Sequence, residues 1–104
     1  MGSQTPGSDT AVRARKRTRL EPPKQYKVIL HNDHYTTMDF VVNVLESVFH
    51  KSATESVAIM LNVHEQGTGL AGVYTKEIAE TKVSTVHSMA REAGYPLRCS
   101  IEPE

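Results

Sequence analysis

The sequence has no tryptophan, a single cysteine and no long apolar run. Each shortage excludes something. One thiol, Cys99, has no partner for an internal disulfide, so the fold must stand on its core, and a reducing cytoplasm is the compartment that suits it. The apolar runs fall far short of the roughly 20 residues a membrane span needs, and no apolar stretch follows the N-terminus as in a secretory signal. The five histidines lack HExxH spacing and one cysteine makes no CxxC, so neither a metal nor a cofactor is predicted. GxSxG, a phosphate-cradling glycine loop and an evident nucleophile–base pair are all missing. These absences point away from enzyme chemistry and toward a small binding module.

What remains is modest in size. The 104 residues are 38% apolar and 23% charged, enough for one domain with a small core. The formal net charge of zero conceals two unlike parts. Residues 1–25 hold six basic groups and two acidic ones; the remainder holds six basic and ten acidic. The first part is also rich in Gly, Ser, Thr and Pro and poor in apolar side chains. Such composition cannot offset its ordering entropy, so residues 1–22 are expected to be a disordered basic extension. Pro22-Pro23 marks the boundary, and residues 23–104 are expected to form the domain.

Within that domain the periodicities change in a readable order. Gln25 to His31 alternates, with Tyr26, Val28 and Leu30 on the buried face of a strand. Asn32-Asp33 supplies turn chemistry. Thr36 and Asp39 match a capping box, and Val41, Val44, Leu45, Val48 and Phe49 then form an apolar helical stripe. Ser52 and Glu55 make a second capping box, ahead of a helix whose inner stripe reads Val57, Met60, Leu61 and His64, with Gly67 as its left-handed cap. Thr68 to Tyr74 reads as a strand. Thr75 caps a third helix with Ala79, Val83, Val86 and Ala90 inward, ended by Gly94. Leu97, Cys99 and Ile101 alternate with polar residues in a last strand. The order β-α-α-β-α-β predicts an α+β domain, one small sheet covered by three helices.

Few residues stand out as chemistry. His64 on an apolar stripe reads either as a core histidine or as a polar group at the rim of an apolar pocket. Asn32-Asp33-His34 reads either as an ordinary turn or as a cluster of acceptors. Met38 and Met60 could form a soft pocket lining, since thioethers adapt to varied shapes, although core filling is the commoner role of such residues. The basic run Arg13 to Arg19 fits a solvated tail or phosphate contacts, but no aromatic residue is interleaved for base stacking.

Several ordered blocks together resemble the ClpS adaptors. They are Tyr26-Lys27-Val28-Ile29-Leu30, Asn32-Asp33, Tyr35-Thr36-x-Met38-Asp39-Phe40-Val41, and Met60-Leu61-x-Val63-His64-x-x-Gly67. Gly72-Val73-Tyr74-Thr75, Glu77-Ile78-Ala79-Glu80-Thr81-Lys82-Val83 and Pro96-Leu97-x-Cys99 complete the set. The resemblance spans roughly residues 22–104. It implies a three-stranded antiparallel sheet with three helices, and a monomeric adaptor rather than an enzyme. Its implied partners are N-degron proteins, whose first residue is Leu, Phe, Tyr or Trp, and the N-terminal domain of the ClpA unfoldase, which feeds the ClpP protease. Neither nucleic acid nor membrane is an implied partner.

The same resemblance implies residue roles. Asn32, Asp33 and His64, with His34 beside them, would receive the α-ammonium of the degron. Thr36, Met38, Val41, Met60, Val63 and Leu97 would line the side-chain pocket, with Met38 as a gate against side chains branched at Cβ. Glu77 and Lys82 would face the unfoldase, and the N-terminal extension would serve delivery. Two positions depart from the family pattern. His34 stands where a carboxylate is usual, and Thr37 where proline is common, which is expected to loosen the start of the first helix.

Overall fold

A computed structural model describes residues 21–104; the expected disordered extension falls largely outside the described residues. Strand β1 (Gln25–His31) is central, flanked antiparallel by β2 (Thr68–Thr75) and β3 (Arg98–Pro103), giving the order β2-β1-β3. Helices α1 (Met38–Ser47), α2 (Ala53–Gln66) and α3 (Lys76–Ala93) complete the expected β-α-α-β-α-β order.

The core lies on one face of the sheet. Val28 and Leu30 of β1 are wholly buried, as the alternation predicts, in one cluster with Val44 and Leu45 of α1 and Ala79 and Val86 of α3. Val48 and Phe49, just past the end of α1, are buried in the same cluster. Cys99 is buried there too, and burial pushes its thiol up to about 12, so it is not the reactive thiolate at neutral pH. Its backbone N–H donates to His87 Nε2 at 3.1 Å, which fixes the proton of that ring on Nδ1.

The helix ends show where local sequence rules hold. Ser52 caps α2 with the full box: its hydroxyl accepts from Glu55 N–H, and the Glu55 carboxylate accepts from Ser52 N–H, both at 3.1 Å. Gly67 and Gly94 end α2 and α3 with φ of 90° and 82°, as the glycine positions predict. Thr75 stands at the N-cap of α3, but its hydroxyl makes no capping bond. Helix α1 ends without glycine. His50 takes the left-handed conformation (φ 55°), Lys51 N–H donates to Leu45 O at 3.1 Å, and Lys82 Nζ reaches from α3 to Val48 O at 2.7 Å.

Two local expectations are overturned. The N-cap of α1 is Thr37, not Thr36: Thr37 Oγ1 accepts from Phe40 N–H at 3.1 Å. Thr37 therefore secures the start of α1 with a side-chain cap rather than loosening it. In α2 the inward face is Ser56, Ile59, Met60 and Val63, while Val57 and Leu61 are over 40% exposed. Two apolar stripes run along this helix, and the polar Ser56 interrupts the buried one, so periodicity favoured the wrong side. Contact with β2 decides between them. A Cβ on Gly69 would meet Val63 Cγ2 at 2.6 Å and Ile59 O at 3.2 Å, so the missing side chain lets α2 lie against the strand by its Ile59–Val63 face.

Candidate functional site

A cleft of about 610 Å³ opens between the 32–37 loop with the first turns of α1 on one side and the last turns of α2 on the other. That size falls in the range of roughly 300–1,000 Å³ typical of small-ligand sites. Buried Val41 and Val63 lie at its base, half-buried Met60 and partly exposed Met38 form its apolar sides, and Asn32 and His64 stand exposed at its rim.

The loop owes its shape to Asp33. Its Oδ1 accepts from Tyr35 N–H at 2.8 Å and Thr36 N–H at 2.7 Å, and its Oδ2 accepts from the Thr36 hydroxyl at 2.8 Å. Burial alone would raise the carboxyl pKa. The Thr36 and Tyr35 hydrogen bonds outweigh it, and with the nearby His34 they hold the group below its ordinary value. Thr36 turns both its N–H and its hydroxyl to this carboxylate, and the cap falls on Thr37.

The opposite wall is placed by packing. α2 lies on β2 through the contact at Gly69, and Asn32 N–H donates to Gly67 O at 2.9 Å. That bond ties the end of β1 to the end of α2, three residues beyond His64. It holds the Asn32 and His64 rims in one frame. Among the described residues neither side chain has a hydrogen-bond partner, so an Asn amide oxygen and an imidazole nitrogen are both open to a donor at the cleft mouth.

Most of the expected site residues meet here. Asn32, Asp33, His34, Thr36 and Met38 line the cleft from one side, and Val41, Met60, Val63 and His64 from below and opposite. Leu97 does not. It is 4% exposed in the core and borders a separate depression beside α3; alternation along the last strand could place it inward but not under a particular cavity. Tyr35 and Thr37 were missed and do line the cleft. Tyr35, 77% exposed, carried a signal in being an aromatic inside a polar turn. Glu77 lies exposed on the first turn of α3. Lys82 is half-buried, bonded to the end of α1 and set 5.2 Å from the Tyr74 ring centroid, so it secures the fold whatever else it meets.

The comparisons with known proteins agree with this architecture. The pattern of the ATP-dependent Clp protease adaptor protein ClpS matches residues 21–100. The chain belongs to the ClpS family. A ClpS adapter of Desulfatibacillum aliphaticivorans is 63% identical over 86 residues, 83% of each chain. One from Nitratidesulfovibrio vulgaris is 54% identical over 101 residues, 97% of this chain and 95% of that one. Among solved structures, Agrobacterium tumefaciens ClpS2 bound to L-phenylalaninamide superposes with a TM-score of 0.77 at 41% identity, covering 80% of this chain and all of the other. ClpS proteins are protease adaptors and not enzymes. Among the described residues, no group of three His, Cys, Asp or Glu could hold a metal ion, and no helix is long and apolar enough to cross a membrane.

Proposed function

We propose that this ClpS chain captures proteins by a free N-terminal residue of the bulky apolar kind (Leu, Phe, Tyr or Trp) and delivers them to a ClpA-type unfoldase for degradation by ClpP. The observation that carries this is the pairing, within one cleft, of open acceptors on Asn32 and His64 with an apolar base of Val41, Met60 and Val63. An α-ammonium is a cation with three donors, and it needs acceptors in a fixed frame. The degron side chain descends past them. Burying a Leu or Phe contributes roughly 1.5–3 kcal/mol, and each hydrogen bond to the charged amine roughly 1.5–3 kcal/mol. Their sum is compatible with micromolar binding, about −8 kcal/mol. The bound L-phenylalaninamide of the Agrobacterium relative has this chemistry: a free amine beside an apolar ring.

In this reading Asp33 shapes the loop by accepting from three of its donors, and the negative charge of its carboxylate favours the ammonium beside it. His34 borders the amine site, and Met38 guards the mouth. The protein acts as a cytoplasmic monomer, Glu77 and Lys82 meet the N-terminal domain of the unfoldase, and the extension before residue 23 serves delivery rather than docking.

The test is fluorescence anisotropy with peptides beginning in free Phe or Leu and with their acetylated forms. The free peptides bind and the acetylated ones do not; equal affinity for both overturns the reading. The same assay checks the gate. Met38→Ala should admit peptides beginning with Ile or Val that the parent rejects, by relieving a steric clash, and continued rejection makes Met38 a packing residue only.

A further inference from the structure

A second concavity lies beside the cleft and differs from it in charge. It is a depression of about 260 Å³ between the last turns of α3 and the start of β3, with Arg91 and Arg98 on its walls and Tyr95 and Leu97 among its lining. These are the only arginines after Arg19 in a chain whose residues 26–104 carry six basic and ten acidic groups. Both line one depression, both are exposed, and among the described residues neither guanidinium is paired with a carboxylate. His87, also in the lining, accepts from Cys99 N–H through Nε2.

Two contacts join this depression to the cleft. Tyr95 packs against Phe40 of α1 with ring centroids 4.9 Å apart, and its hydroxyl lies 3.5 Å from Thr37 Oγ1, on the cleft wall. On the sheet side Arg98 pairs across the ladder with His31, the residue before Asn32. Opposed residues in an antiparallel pair lie roughly 4.5–5.5 Å apart at Cα. An extended peptide advances about 3.3–3.6 Å per residue, so one anchored by its first residue at Asn32 and His64 reaches the depression within a few residues.

We propose that Arg91 and Arg98 form a subsite for a carboxylate side chain of the same peptide, two to four residues after its N-terminal residue. The proposal rests on the N-degron reading of the cleft. The guanidinium fork matches a carboxylate in two parallel bonds, and Tyr95 and Pro96 offer apolar surface to the methylenes of Glu. The domain's overall negative charge works the other way, against acidic peptides at every position, so a gain confined to one position identifies a local contact.

The experiment scans Glu through positions 2 to 6 of a peptide beginning with free Phe and otherwise made of Ala, Ser and Gly. Affinities are measured for the full chain and for the double variant Arg91→Gln/Arg98→Gln, whose altered side chains are exposed. The expected result is a gain of about three- to fivefold at one position among 3 to 5, the scale of an exposed but well-formed ion pair. That gain should shrink at high salt, vanish in the double variant and survive in part in Arg98→Lys. Equal or weaker binding with Glu at every position, or a gain that persists in the double variant, overturns the subsite while Phe recognition stands. Failure of every free-Phe peptide to bind overturns the N-degron reading and the subsite with it.

Discussion

The two walls of the cleft are built by different means. The 32–37 wall is a short-range construction: Asp33 gathers Tyr35 and Thr36, and Thr37 caps α1, all within eight residues. The α2 wall is long-range. Its capping box lies at Ser52, twelve residues before His64, or about 18 Å away at 1.5 Å per residue. The working end of α2 is placed by its contact with Gly69 and by the Asn32–Gly67 bond. A wall made of local hydrogen bonds should answer to single polar substitutions at the site itself. A wall made by packing should answer to a change of volume outside the cleft.

The largest expected effect comes from volume. Gly69→Ala places a Cβ against Val63 Cγ2 and Ile59 O, an overpacking that costs typically 1–3 kcal/mol. Backbone cannot yield as a flexible side chain can, so α2 should shift and carry His64 with it. Thermal unfolding and peptide affinity should fall together. A variant that loses stability but keeps affinity would show that the Asn32–Gly67 bond alone holds the rim.

Asp33→Ala tests the local wall. It frees two backbone N–H groups and the Thr36 hydroxyl, and affinity for free-Phe peptide should drop at least about tenfold, near 1.4 kcal/mol. Circular dichroism should show the helices intact, because Thr37 and not Asp33 caps α1. Undiminished affinity would mean the loop is held by something other than this carboxylate.

The two caps sharpen the contrast. Thr37→Ala and Ser52→Ala should each cost about 1 kcal/mol of stability, read from denaturant midpoints. Only Thr37→Ala should also weaken peptide binding, because only that cap borders the cleft. Equal effects on affinity would erase the distinction between the walls.

The smallest effect is in pH. The Asp33 carboxyl is held below its ordinary value of 3.8. A depressed carboxyl contributes stability that is fully present above its unfolded value and is lost as pH falls through the lower folded one. The side-chain carboxyl shift of Asp33 should therefore show its own acid transition only below about pH 4. In Asp33→Asn that acid transition should disappear. A midpoint at or above 3.8 in the parent would contradict the hydrogen-bond assignment.

Much of the molecule could be read from residue order alone. Strand β1, the stripe of α1, the Ser52 box and the left-handed Gly67 and Gly94 follow from periodicity and from the few residue types that satisfy orphaned helix-end groups. Such signals are complete within a few neighbouring residues. The motif blocks, taken together, also indicated the family and most of the cleft residues. Which of two apolar stripes on α2 turned inward was not decided locally, because Val57 and Leu61 are as apolar as Ile59 and Val63. The gap at Gly69 decided it. Thr36 gave its N–H and hydroxyl to Asp33, and the cap fell one residue later, on Thr37. Leu97 went to the core, and Arg91 and Arg98, from different elements, came to one depression. Sequence determined the local conformations and the chemistry available; tertiary packing decided which faces met, because burial depends on distant chain segments and periodicity reports only neighbouring ones.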